Sequence, residues 1–176
     1  MNIPENAKIL IGRREIAERV REVGKSLREF YAGADLSGVE IVWIAEGARV
    51  FAEEIFCAMG LNIKMSAVKV SSYKNSFSSS GSVKIFGGIE NVKARRVLLI
   101  DDILDTGLTA KTVMEKLRAQ GAEEIKTCFL LNKISKNGGE PRADFACFEI
   151  SDKFVFGRGL DYMGNLRELK DIWALE

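Results

Sequence analysis

Residues 97–110 read VLLIDDILDTGLTA, an apolar run that ends in two adjacent acids and then turns through a third acid, a threonine and a glycine. A short, wholly apolar run of this kind fits a strand covered on both faces. Beyond Gly107, the apolar residues Val113, Met114 and Leu117 recur at helical spacing, and Gly121 closes the segment. Strand, tight turn and helix therefore follow one another. Backbone N–H groups at a helix start lack intrahelical partners, and the helix dipole favours negative charge there. Thr106 and Thr109 add hydroxyl donors, and Gly107 lets the backbone approach an anion closely. The turn reads as a phosphate cradle. Asp101 and Asp102 would oppose an anion on their own, whereas a sugar diol and a cation would give each a partner.

The rest of the chain repeats the strand-helix alternation. Ile16, Val20, Val23, Leu27 and Phe30 share one helix face, and the helix should end near Gly33. Residues 39–45 form an apolar strand. Glu46 and Gly47 follow, and then Phe51, Ile55 and Met59 at helical spacing. A further strand at residues 63–70 leads into SSYKNSFSSSGS, whose serine and glycine content predicts a mobile loop over about 71–86. After the central motif comes a strand at 125–131. Alternation at these lengths implies βαβ units, a largely parallel sheet with helices on both faces, and ligands at the carboxyl ends of the strands. DFACFEI and KFVFG read as short strands of a small hood, built mainly from residues 140–176 with the N-terminal segment. One domain, 1–176, is expected.

Composition removes several classes of chemistry. The chain has no histidine, so a Ser-His-Asp triad and a histidine general base are excluded. Carboxylates, lysines and backbone amides must do the work. Cys57, Cys128 and Cys147 are odd in number, far apart and set in apolar runs, which fits reduced core thiols in a cytoplasmic protein better than a disulfide framework or a zinc site. Net charge is +1, so no general field recruits nucleic acid or an anionic membrane. Nowhere do about 18 apolar residues run together as a membrane span requires, and the first twenty residues turn charged too soon for a signal peptide. Neither GxxxxGK[ST] nor GxGxxG follows a strand.

The run VLLIDDILDTGLTA resembles the 5-phosphoribosyl-1-diphosphate signature of type I phosphoribosyltransferases, and specifically that of the hypoxanthine-guanine enzymes. The resemblance extends in order along nearly the whole chain. It implies the type I fold, a mostly parallel central sheet flanked by helices, with a small C-terminal hood and a flexible active-site loop. It also implies Mg²⁺, 5-phosphoribosyl-1-diphosphate and a 6-oxopurine as partners, and assembly as a homodimer or homotetramer. By the same likeness Asp101 and Asp102 hold the ribose hydroxyls, and Asp105, Thr106, Gly107, Leu108 and Thr109 wrap the 5′-phosphate. Asp105 lies beside purine N7 as general acid/base. Ser72 and Tyr73 match the closing loop, and Gly47 and Arg167 bind pyrophosphate. Ile103 packs under the base, Lys133 donates to its 6-oxygen, Phe154 stacks on it and Val155 offers backbone groups to its edge. Asp161, with Asp101 and Asp102, holds the metal.

Three departures from the family pattern stand out. WIAEGAR carries Glu46 where a lysine usually precedes the glycine, in a loop that sometimes holds a non-proline cis peptide, and Arg49 is the candidate replacement charge. Tyr162, Met163 and Gly164 replace a Tyr-Asn-Glu, and Arg158 replaces an aromatic. The implied activity is purine salvage, the transfer of a phosphoribosyl group to N9 of hypoxanthine or guanine. Two alternatives stay open: a xanthine-guanine preference, and a non-catalytic sensor of 5-phosphoribosyl-1-diphosphate. Near-zero charge and the presence of Asp105 weigh against the sensor.

Overall fold

The computed structural model describes residues 2–73, 82–89, 96–133 and 141–176. In chain order the elements are β1 (Ala7–Ile11), α1 (Arg13–Phe30), β2 (Val39–Ala45), α2 (Arg49–Met59), β3 (Lys64–Tyr73), β4 (Ser82–Gly87), β5 (Arg96–Leu104), α3 (Leu108–Ala119), β6 (Glu124–Lys133), β7 (Phe145–Ile150), β8 (Val155–Phe156) and β9 (Ile172–Leu175). Six strands make a central sheet in the order β4-β3-β2-β5-β6-β7. All its neighbours pair in parallel except β3 and β4, which form an antiparallel arm. From β2 the chain runs to β3 on one side, and β5 then pairs on the other side. The carboxyl ends of β2 and β5 therefore flank a topological switch point, where open α/β sheets bind ligands.

Strand alternation divides the core between the two faces. Ile41, Leu98 and Ile100 join Ile16, Val20 and Leu27 of α1 and Phe51 and Ile55 of α2 in one cluster. Val42, Ile44, Val97 and Leu99 meet Val113 and Leu117 of α3 in the other. The helices begin and end where local chemistry dictates. A carboxylate 158 residues away serves α1, whose Arg13 N–H donates to Asp171 Oδ1 at 2.7 Å. Helix α2 stops at Gly60, which takes the left-handed conformation, and the Arg28 side chain donates to the Met59 carbonyl. Between α1 and α2, Gly24 lies so close to Ala58 that a Cβ on Gly24 would overlap it.

Three differences from the sequence reading have physical causes. DFACFEI is not part of the hood: β7 pairs in parallel with β6 at the edge of the central sheet. Its entry is pinned by Asp144, which accepts from the Thr127 N–H at 2.9 Å and hydroxyl at 3.0 Å, while its own N–H donates back to that hydroxyl at 3.0 Å. Only β8 of those two short strands enters the small sheet, ordered β1-β9-β8, which joins the two ends of the chain. Secondly, residues 71–73 and 82–86 of the expected loop lie in the paired strands β3 and β4, and residues 74–81 fall outside the described residues. Thirdly, β5 pairs with β6 as far as Leu104 and Asn132, so Asp101, Asp102 and Ile103 lie within the strand.

The close approach of α1 and α2 leaves no space for a side chain at position 24. Gly24→Leu should lower stability by about 1–3 kcal/mol, the usual cost of overpacking. Urea denaturation followed by circular dichroism checks this, and an unchanged midpoint would contradict the packing described.

Candidate active site

Everything at the switch point is built around the end of β5. Asp101 is buried, and its Oδ1 accepts the Asp102 N–H at 3.0 Å. Burial and the charge of Asp102 hold the Asp101 carboxyl well above the usual carboxylate range. Burial raises Asp102 as well, opposed by its hydrogen bond with Asp101 and by the positive charge of Arg167. The wall facing Asp102 is backbone. A Cβ on Gly47, just after β2, would collide with the Asp102 carboxylate, and a Cβ on Gly159 would collide with the Gly47 carbonyl. The glycines therefore permit a stack of strand, loop and C-terminal segment that no larger residue would allow. The peptide bond between Ala45 and Glu46 is cis, and Glu46 is exposed.

Immediately after β5 the phosphate turn opens α3. Gly107 occupies the N-cap at φ 79° with no side chain to offer, and among the described residues Thr106 Oγ1 is the side chain that reaches the Leu108 N–H, at 3.4 Å. The first amides of α3 are thus available to an anion, and Leu108, half-exposed, contributes a backbone group rather than a side chain. Thr109 follows on the same turn.

Next to β5 in the sheet stands the end of β6. A lone lysine after a strand ordinarily faces solvent, but Lys133 is 5% exposed. Its ammonium lies 3.4 Å from Asp105 Oδ1 and 3.3 Å from Asp152 Oδ1. Phe154, by contrast, is 52% exposed, its ring edge-on to Tyr162 at 5.9 Å. A core strand residue would be hidden, as its neighbours Val155 and Phe156 are. Ile103 is half-buried and pairs in register with Leu131. Further along, Arg167 donates to the Gly159 carbonyl at 2.6 Å and to Asp161 Oδ1 at 2.7 Å, while Asp161 Oδ2 accepts the Gly164 N–H at 2.8 Å.

The structure thus brings Asp101, Asp102, Gly47 and Arg167 together, and Asp105 with Lys133. Ser72 and Tyr73 end β3, paired with Val83 and Ser82, and their side chains lie outside the described residues. Arg49 is exposed at the start of α2. Two contacts escaped the sequence reading. Asp152 on Lys133 is one. The other is Arg158, which at φ 55° turns into the protein and pairs with Glu54 of α2, linking the C-terminal segment to the helix behind the Gly47 loop. Both join residues distant in sequence, and no local pattern marks them.

A helix-start anion turn beside an acid pair and against a buried lysine, with an exposed aromatic ring in the C-terminal segment, suits a phosphorylated sugar next to a planar base. That chemistry defines a class of nucleotide-handling α/β protein. A family model described as phosphoribosyl transferase domain matches residues 13–163. The hypoxanthine-guanine phosphoribosyltransferase of Bacillus subtilis (strain 168) is 36% identical over 170 residues, 96% of this chain and 93% of that protein. Its counterpart in Aquifex aeolicus (strain VF5) is 33% identical over 170 residues, 96% of this chain and 94% of that one. The structure of the Trypanosoma cruzi hypoxanthine phosphoribosyltransferase in complex with the product IMP matches with a TM-score of 0.86 at 29% identity, covering 100% of this chain and 98% of that chain. The chain belongs to the phosphoribosyltransferase family, among its hypoxanthine-guanine members.

A buried acid pair short of positive charge costs stability. Because the folded-state value of Asp101 is raised, the folded protein binds its proton more tightly than the unfolded chain does. The favourable contribution is present below the ordinary carboxylate range and is lost as pH rises through the raised value. Asp101→Asn should therefore raise the melting temperature of the ligand-free protein at neutral pH and gain little at pH 4. Each kcal/mol recovered is worth about 2–4 °C for a chain of this size. Differential scanning calorimetry at the two pH values tests this, and equal shifts would contradict it.

Proposed function

We propose that the protein is a purine-salvage enzyme that joins hypoxanthine or guanine, through N9, to 5-phosphoribosyl-1-diphosphate, giving IMP or GMP and pyrophosphate. The observation that carries this reading is the clustering of these side chains at the carboxyl ends of neighbouring strands. The Asp101-Asp102 pair and the phosphate turn end β5, and Lys133, buried at the end of the adjacent β6, lies against Asp105 of that turn. In the reaction a bond forms between N9 and C1′ of the ribose, and the bond from C1′ to the diphosphate oxygen breaks.

Each residue has a role in this reading. The turn from Asp105 to Thr109, with Thr106, Gly107 and Leu108 between them, holds the 5′-phosphate through backbone N–H groups and hydroxyls. Asp101 and Asp102 accept from the ribose hydroxyls. Phe154 stacks on the purine, Ile103 supports its other face, Val155 offers backbone groups and Lys133 donates to the 6-oxygen. As N9 becomes electron-poor, Asp105 beside N7 takes up the proton. Gly47 and Arg167 hold the departing pyrophosphate, with Ser72 and Tyr73 on the closing strand arm.

A divalent cation fits this donor set. Among the described residues no group of three or more His, Cys, Asp or Glu side chains could hold a metal ion unaided. Burial raises Asp101 and Asp102, and a bound cation would favour their ionised forms. By the family likeness Asp101 and Asp102 at the end of β5, and separately Asp161, would hold Mg²⁺ once the substrate completed its ligands, and the ion would offset the charge of the diphosphate leaving group. Among the described residues no helix is long and apolar enough to cross a membrane. Cys128 and Cys147 are buried, whereas Cys57 lies on the exposed side of α2 rather than in the core, and three free thiols support a reducing compartment such as the cytoplasm. Self-association into a dimer or tetramer rests on the family likeness.

The first test is nucleotide formation from hypoxanthine, guanine, xanthine, adenine and uracil with 5-phosphoribosyl-1-diphosphate and Mg²⁺. Turnover should be confined to the 6-oxopurines, and silence on all five bases would overturn the reading. Asp105→Asn should lower kcat by about 10²-fold, the usual scale of lost acid/base help, while the affinity for 5-phosphoribosyl-1-diphosphate stays unchanged. Undiminished turnover would remove Asp105 from the mechanism.

A further inference from the structure

Lys133 faces two carboxylates, only one of which the proposed reaction uses. Asp105 Oδ1 lies 3.4 Å and Asp152 Oδ1 3.3 Å from its ammonium. An ordinary surface ion pair joins two solvated side chains and contributes little. Here the lysine side chain is 7% exposed and Asp152 is 47% exposed, so the carboxylate reaches inward to a buried cation. The topology explains how. Lys133 stands opposite Ile150 in the pairing of β6 with β7, and Asp152 emerges two residues later at the same end of the sheet. Phe154 is two residues further on.

We infer that Asp152 is a positioning residue for base recognition. It shares the Lys133 ammonium with Asp105, so that the lysine can turn a donor to the purine 6-oxygen without locking onto the acid/base carboxylate. This rests on the roles given above to Lys133 and Asp105. The physical argument concerns competition for three ammonium protons. Toward a carboxylate the ammonium gains charge–charge attraction that a neutral carbonyl oxygen does not offer, and low dielectric strengthens it further. Facing Asp105 alone, a buried ammonium would pair with it, and a neutral carbonyl oxygen could not draw it away. With a second carboxylate at nearly the same distance, the lysine can loosen its contact with Asp105 and still keep a charged partner. Asp105 is then free to deal with N7, and Lys133 with the 6-oxygen.

The test compares product nucleotides in the full-length protein by titration calorimetry. IMP carries the 6-oxygen, and purine riboside 5′-monophosphate lacks it. The two differ at the 6-oxygen and at N1–H, so the ratio of their dissociation constants reports that edge of the base, and its change on substituting Lys133 gives the lysine's share. Asp152→Asn should reduce the preference for IMP by about fivefold to tenfold, part of the worth of a hydrogen bond to a charged group. In steady state it should raise the KM for hypoxanthine and leave that for 5-phosphoribosyl-1-diphosphate unchanged. Asp152→Glu should restore most of the preference, and Lys133→Met should abolish it. If Lys133→Met removes the preference while Asp152→Asn keeps it intact, the inference fails and the reading of Lys133 survives. If Lys133→Met also leaves it intact, that reading fails and the inference with it. Equal weakening of both nucleotides by Asp152→Asn would reduce Asp152 to a structural role and overturn the inference.

Discussion

The parallel pairing of β2 with β5 is the constraint on which the rest of the molecule depends. Because the chain leaves β2 for β3 on one side and β5 pairs on the other, the loops after β2 and β5 meet side by side at the switch point. Both strands are buried on both faces by alternating side chains, so their ends are held in register by the core. The Gly47 loop and the Asp101-Asp102 pair inherit that register. Their contact is close enough that only a glycine fits. Precision at the site is therefore a product of packing well below it.

Charge at the end of β5 is arranged against local stability. Two acids share the strand end, and burial raises both. Arg167 reaches Asp161 and the Gly159 carbonyl, and Lys133 divides itself between Asp105 and Asp152. Stability given up at a site for the sake of the ligand is a recurrent bargain in enzymes. Here the cost falls on a strand end that the core holds in place.

Much of this was legible along the chain. Residues 39–45 were delimited as a strand from their apolar run alone, and they form β2 to the residue. The α1 face was readable from Ile16, Val20, Val23 and Leu27, because the period of a helix is a local property. The phosphate turn was readable because its chemistry lies within thirteen consecutive residues. DFACFEI misled because a short strand carries no mark of the sheet it joins. Its placement was decided by Thr127 and Asp144, seventeen residues apart. The expected loop misled at its edges, since Ser71 and Ser72 look like linker residues until the ladder with β4 pairs their backbone.

By itself the amino-acid order determined the elements, the phosphate turn and the absence of histidine chemistry, all of which depend on neighbours within a few residues. Only the tertiary structure decided that Lys133 is buried between two carboxylates, that Phe154 is exposed, that Gly159 rests on Gly47, and that Arg158 turns inward to Glu54. The reason is physical. Burial and ion pairing are set by which side chains the folded core brings within a few ångströms, and here the partners come from strands and loops 19 to more than 100 residues apart.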